Sequence, residues 1–235
     1  MKLVEREIEK EEKWINENPG TEKDYFGVFI YIVIIIFILF ILSGGLLLQS
    51  GKPVIYLYPE RPTDVSVKLD YNGKVEYTWP VYGNGWKVQA RPDGVLVNQA
   101  DGKEYSYLFW EGKTSAIKCD FSKGFVIKGS ETGAFLQKTL AVIGLTPREY
   151  NEFIVYWMPL MQDNAWNLIS FQDKTYTDNA VLTIDPKPDS VLRVYMAFKP
   201  LAYPIYVPPQ EFAPFERKGF TVVELGGQHR GGFYR

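Results

Sequence analysis

The chain has 235 residues, with 26 Lys plus Arg against 28 Asp plus Glu and a net charge of −2. Hydrophobic residues at 46% and charged residues at 23% exclude a largely disordered chain, and the balanced charge lacks the basic footprint of a nucleic-acid binder. A single cysteine, Cys119, excludes an internal disulfide framework and a cysteine-rich zinc centre; a single histidine, His229, excludes any site built on two imidazoles.

The first segment, 1–24, reads MKLVEREIEKEEKWINENPGTEKD. Val4, Ile8 and Ile15 fall near one helical face, Glu9 and Lys13 are ordered as an i,i+4 pair, and Asn18-Pro19-Gly20 stops the helix. The expectation is a short solvated helix whose Trp14 has no core of its own to enter.

Phe26 to Leu48 reads FGVFIYIVIIIFILFILSGGLLL, 23 residues without a charge. A helix of that length reaches roughly 35 Å, enough for a hydrocarbon core of about 30 Å with some tilt. The β-branched run does not argue for a strand, because a single span in lipid must satisfy its own backbone. Tyr25 and Tyr31 stand near the start, where amphipathic rings favour the interface. A cleaved signal peptide is the rival, with Ser43-Gly44-Gly45 as small residues at a cut. The apolar run exceeds a signal core, and the stretch before it is long and net acidic. The expected division is a tail over 1–24, a transmembrane helix over 25–49 and an extramembrane domain over 50–235. Lys2, Arg6, Lys10, Lys13 and Lys23 precede the span, against Lys52, Arg61 and Lys68 in the first twenty residues after it. That bias places the tail in the cytoplasm and the domain outside the plasma membrane.

Short strands follow. KPVIYLY, Lys52 to Tyr58, is apolar and stopped by Pro59 and Pro62. DVSVKLDY, Asp64 to Tyr71, alternates, and KVEYT, Lys74 to Thr78, resumes the alternation after Asn72-Gly73, a hairpin signal. Further strands are expected at 85–90, 94–97 and 105–110, separated by Pro92-Asp93-Gly94 and Asp101-Gly102. This half reads as an antiparallel sheet or sandwich over about 52–128. Phe135, Leu136, Leu140 and Ile143 are spaced for a helix capped by Gly144, and Thr146-Pro147-Arg148-Glu149 opens a second helix that Pro159 kinks or ends. Strands return at 167–171, 180–184 and 191–198. A proline-rich connector, 200–214, leads to a strand at 219–224, and the glycine-bearing end from Gly226 is expected to be loose. The class is α+β: an antiparallel β-rich domain with an inserted helical hairpin.

KPVIYLYP at Lys52–Pro59, YSYLFWEG at Tyr105–Gly112, NEFIVYWMP at Asn151–Pro159, NLISFQ at Asn167–Gln172 and FERKGFTVVELG at Phe215–Gly226 follow one another through the domain. With them the chain resembles an uncharacterised family of bacterial membrane-anchored or secreted proteins. The resemblance implies an envelope location and a single extramembrane domain. It implies no activity and no catalytic residue.

Few residues read as chemistry. Cys119 beside Lys118 could be a nucleophile only with a base, for which His229 is the one imidazole. Glu111 with Asp120, and Asp64 with Glu76, are the carboxylate pairs a glycoside hydrolase would need. Asp173, Asp178 and Asn179 lack the loop spacing of a calcium motif. The better lead is Thr78 to Trp86, TWPVYGNGW, which puts Trp79, Tyr82 and Trp86 in a loop bounded by proline and glycine. Aromatic faces suit stacking on glycans or peptide side chains. Trp79, Tyr82 and Trp86 are therefore the candidate ligand-binding residues, Tyr82 being the one expected to be most exposed. The competing reading buries Trp79 and Trp86 as core plugs. Tyr203, Pro204, Tyr206, Pro208 and Pro209 could form a polyproline-like ligand or a connector packed on the sheet.

The functional expectation is a non-catalytic binding or assembly module on a single-pass membrane anchor, with an envelope hydrolase of wall glycans or peptides as the alternative. The partners expected are the lipid bilayer and other envelope proteins or glycans; no nucleic acid, cofactor or metal is called for.

Overall fold

Two β-sheets and a pair of helices form three stacked layers in the computed structural model, which describes residues 48–229 together with Lys10, Lys13 and Glu17. The chain divides into two units, Met1–Leu46 and Leu47–Arg235. In the first, Lys10, Lys13 and Glu17 are helical and exposed, and Lys13 Nζ lies 4.0 Å from Glu17 Oε1. The rest of the tail helix, the span at 26–47 and the end at 230–235 fall outside the described residues. Among the described residues no helix is long and apolar enough to cross a membrane.

The strands of the second unit are β1 (Leu48–Tyr58), β2 (Thr63–Tyr71), β3 (Lys74–Trp79), β4 (Trp86–Ala90), β5 (Leu96–Asn98), β6 (Glu104–Tyr105), β7 (Leu108–Thr114), β8 (Phe125–Lys128), β9 (Trp166–Gln172), β10 (Ala180–Asp185), β11 (Ser190–Leu201) and β12 (Thr221–His229). The helices are α1 (Thr132–Ile143), α2 (Pro147–Met161) and the short α3 (Lys174–Thr177). One sheet runs β3-β7-β1-β12-β11-β9-β8 and the other β10-β2-β4-β5-β6. All pairs are antiparallel except β11 with β12. The unit is mostly sheet with a few helices, in agreement with the α+β class. β1 begins at Leu48, so Leu48 and Gln49 belong to a strand rather than to the end of a helix.

Alternation explains the layers. Ile55 and Leu57 of β1, Leu108 and Trp110 of β7 and Tyr195 and Ala197 of β11 face Val65, Val67, Trp86 and Val88 of the smaller sheet. The intervening residues, Val54, Tyr56, Met196, Phe198, Val223 and Leu225, face Leu136, Leu140, Phe153 and Trp157 of the helices. The large sheet is thus apolar on both faces, as a middle layer must be.

The helix ends follow their sequence signals. Gly144 caps α1 in a left-handed conformation, φ 116°. Thr146 Oγ1 accepts from the Glu149 amide while Glu149 Oε2 accepts from the Thr146 amide at 2.8 Å. Pro159 does not end α2, which runs on to Met161.

Three expectations are overturned. Asn72-Gly73 does not close a hairpin: β2 has β10 on one side and β4 on the other, so both its edges are taken and β3 leaves to pair with β7 in the other sheet. Asn72 instead donates its amide to Asn179 O at 2.8 Å. The expected strand at 105–110 breaks after Tyr105, since β6 and β7 belong to different sheets. Finally, Gly226 and Gly227 are buried strand residues, not a loose end. A Cβ at Gly227 would lie 2.3 Å from Met196 O and 2.7 Å from Trp157 Cζ2, so glycine lets β12 pass close beneath α2.

Candidate functional site

The helical layer covers β1, β12, β11 and β9, meets β7 only at the margin through Tyr156, and does not cover β3. There the outer face of the sheet is left open. β3 is an edge strand, and nearly all its side chains are exposed. Its register shifts between Val75 and Tyr77, and beyond the shift Tyr77 pairs with Glu111 and Trp79 with Phe109. Directly opposed residues share a face, so these four side chains project to the same side. Trp110, one position away, points inward.

These side chains, with Tyr107 from the link between β6 and β7 and Tyr156 from α2, line an open hollow of about 390 Å³. Tyr77 and Trp79 are 53% and 51% exposed, high for such large rings outside a site. Tyr77 is tilted against Phe109 at 5.8 Å, and Trp79 meets Tyr105 edge-on at 5.8 Å. Tyr107 meets Tyr56 edge-on at 5.6 Å, which fixes the floor to the core. Burial, then the Glu111 charge, pushes the Tyr156 phenol up; burial and Glu152 do the same for Tyr107. Both hydroxyls therefore stay protonated at neutral pH. The lining of the hollow combines several aromatic rings with phenol hydroxyls and one carboxylate, Glu111.

Of the three residues picked from sequence, only Trp79 lines this hollow. Trp86 is a core residue, 1% exposed, with its Nε1 donating to Pro80 O at 2.9 Å. Tyr82 is the reverse of the expectation: half-buried rather than exposed, its ring 4.6 Å edge-on from Trp86. Its hydroxyl accepts from the Leu69 amide at 2.8 Å and lies 3.3 Å from Leu69 O. Trp79 in turn is not a core plug. Tyr77, Tyr107, Phe109, Glu111 and Tyr156 were not singled out together, because only the β3–β7 pairing and the fold of α2 over the sheet converge them. The signal available was the exposed phase of two alternating strands, both aromatic.

The other constellations disperse. Cys119 is buried between the sheets, whereas the His229 ring packs at 4.6 Å on Phe198, which faces the helices. Asp120 caps Ser122, and its carbonyl takes hydrogen bonds from Ser170 and Gln172 of β9. Glu111 is on β7, four strands away, about 19 Å at the usual spacing. Asp64 bonds Gln99 in the small sheet, and Glu76 pairs with Lys113 at 3.0 Å in the large one. Asn179 is committed to Thr175 O and Asn72. Among the described residues no group of three or more His, Cys, Asp or Glu side chains could hold a metal ion.

A second cluster of rings and a carboxylate lies between the sheets. Glu224, fully buried, accepts from Trp110 Nε1 at 3.3 Å, Tyr176 Oη at 3.0 Å and Arg193 Nε at 2.5 Å. Arg193 also donates to Ala180 O, and its guanidinium lies 4.9 Å from the Tyr176 ring centre. Every one of these groups is used internally, so this cluster is scaffold.

An uncharacterized protein in the bglA 3'region of Butyrivibrio fibrisolvens is 46% identical to this chain over 70 residues, 27% of this chain and 71% of the relative. The chain belongs to that protein's family. No family model and no solved structure matches the chain.

Proposed function

We propose that the chain is a single-pass membrane protein of the cell envelope, anchored by the apolar run from Phe26 to Leu47 with its tail in the cytoplasm, whose extracytoplasmic domain is a non-catalytic binding module. The ligand is a glycan of the envelope, and the hollow between β3, β7 and α2 holds it. The observation that supports this reading is the hollow itself: exposed Trp79 and Tyr77 beside Phe109, with Glu111 among them. Sugar rings present apolar faces that pack on aromatic rings and hydroxyls that donate to a carboxylate, the combination gathered here. The anchor rests on the uncharged apolar run and its flanking charges.

The test is a titration of the full chain in nanodiscs with soluble wall-glycan oligosaccharides, followed by tryptophan fluorescence. The wild type gives a saturable change, and Trp79→Ala needs roughly ten-fold more oligosaccharide to reach half-saturation. A wild type that ignores every oligosaccharide would remove the glycan reading.

A further inference from the structure

The uncharged run ends at Leu48 and β1 starts at Leu48, so on the anchor reading no spacer separates membrane from sheet. On that reading the end of the large sheet where β1 enters is the end at which the chain leaves the bilayer. Register identifies what else that end carries. Gly51 pairs with Gly227, and His229 with Phe198 on the parallel β11, so β11 finishes at the end where β1 begins. Leu201, opposite Trp166 of β9, is the last β11 residue. The chain beyond it turns back and is fastened again where Pro208 O accepts from the Gly124 amide and Gln210 bonds both backbone groups of Phe171. The crest of this turn is Tyr203-Pro204-Ile205-Tyr206, in which Tyr203 is 80%, Ile205 47% and Tyr206 89% exposed. Lys128 lies over the Trp166 ring, 5.7 Å from its centre, at the same end.

We infer that the Tyr203–Tyr206 crest is a membrane-interface contact of the domain. Tyrosine rings with an apolar body and a hydroxyl tip partition to the headgroup level, and a nearby lysine suits that zone. Two large rings left in water next to a strongly held connector have no packing role in the domain. This inference rests on the anchor reading above, not on the ligand assigned to the hollow.

The test uses the full chain in phosphatidylcholine–phosphatidylglycerol vesicles containing lipid spin-labelled near the headgroup. A fluorophore is placed on Ala202→Cys, beside the crest, or on Glu60→Cys, at the other end of β1, about 35 Å away along an 11-residue strand. The unsubstituted chain, with buried Cys119, is the labelling blank. Vesicle flotation after an alkaline wash tests the anchor separately. The expected result is flotation, with quenching at Ala202→Cys at least three-fold stronger than at Glu60→Cys and substantially relieved by adding Tyr203→Ser with Tyr206→Ser. Flotation with equal quenching at the two sites, or quenching that ignores the tyrosines, overturns the crest contact and leaves the anchor standing. Protection of Ala202→Cys that persists in detergent and grows with protein concentration overturns it in favour of a second copy. Failure to float overturns the anchor and the contact together.

Discussion

One strand, β7, serves two aromatic clusters of similar composition and opposite character. Its Trp110 turns inward to Glu224, where Arg193 and Tyr176 complete a sealed network; its Phe109 and Glu111 turn outward to the hollow with Trp79 and Tyr77. Both clusters combine rings with a carboxylate. What separates them is the layer that covers each face. The small sheet closes the inner face over Trp110 and Glu224, so every polar atom of that cluster needs a protein partner. The helical hairpin closes only part of the outer face, and rings beyond it meet water. Ring content alone therefore does not mark a site; an incompletely covered sheet face does.

The largest expected effect breaks the inner cluster. Arg193→Met leaves the buried Glu224 carboxylate without its counter-charge and should cost roughly 3–5 kcal/mol of stability, read by urea unfolding. Trp86→Ala, which empties a filled core position, should cost about 3–5 kcal/mol by the same measurement. The outer cluster responds in the other coordinate. Trp79→Ala should change stability by less than about 0.5 kcal/mol, yet weaken glycan binding by about 1–2 kcal/mol, roughly ten-fold.

The smallest effect concerns His229, the one histidine of the chain. Burial lowers its pKa, so the unfolded chain takes up the proton first as pH falls. Its contribution should be complete above the ordinary value near 6.5, and decline as pH drops from there toward the folded pKa. Urea midpoints between pH 7.5 and 5 should show this slope, flattened in His229→Gln. Equal slopes in both proteins would remove His229 as its source.

Much of the fold was legible locally. The capping box at Thr146–Glu149, the Gly144 cap and the alternation of Val65, Val67 and Leu69 act over a few residues, and the structure keeps them. What sequence missed depended on partners far along the chain. Asn72-Gly73 carried a hairpin signal, but β10, more than a hundred residues on, claims the edge of β2 that β3 would have used. Gly226 and Gly227 read as looseness because their reasons, packing of Gly226 on Pro53 and passage of Gly227 beneath Trp157 and beside Met196, are tertiary. The same limit governs the site. Loop composition drew attention to Trp79, Tyr82 and Trp86 together, whereas the turn buries Trp86, pins Tyr82 to the Leu69 backbone and leaves Trp79 to face the other way. Only the β3–β7 register could have supplied its real neighbours.

The division between scaffold and site is tested most directly by measuring Trp79→Ala and Trp86→Ala side by side, with melting temperature and oligosaccharide affinity determined on the same full-chain preparations. The account predicts that Trp79→Ala melts with the wild type and loses affinity, while Trp86→Ala melts well below it. A Trp79→Ala protein that melts as low as Trp86→Ala, or that binds as tightly as the wild type, would contradict the assignment of the outer cluster as the binding site.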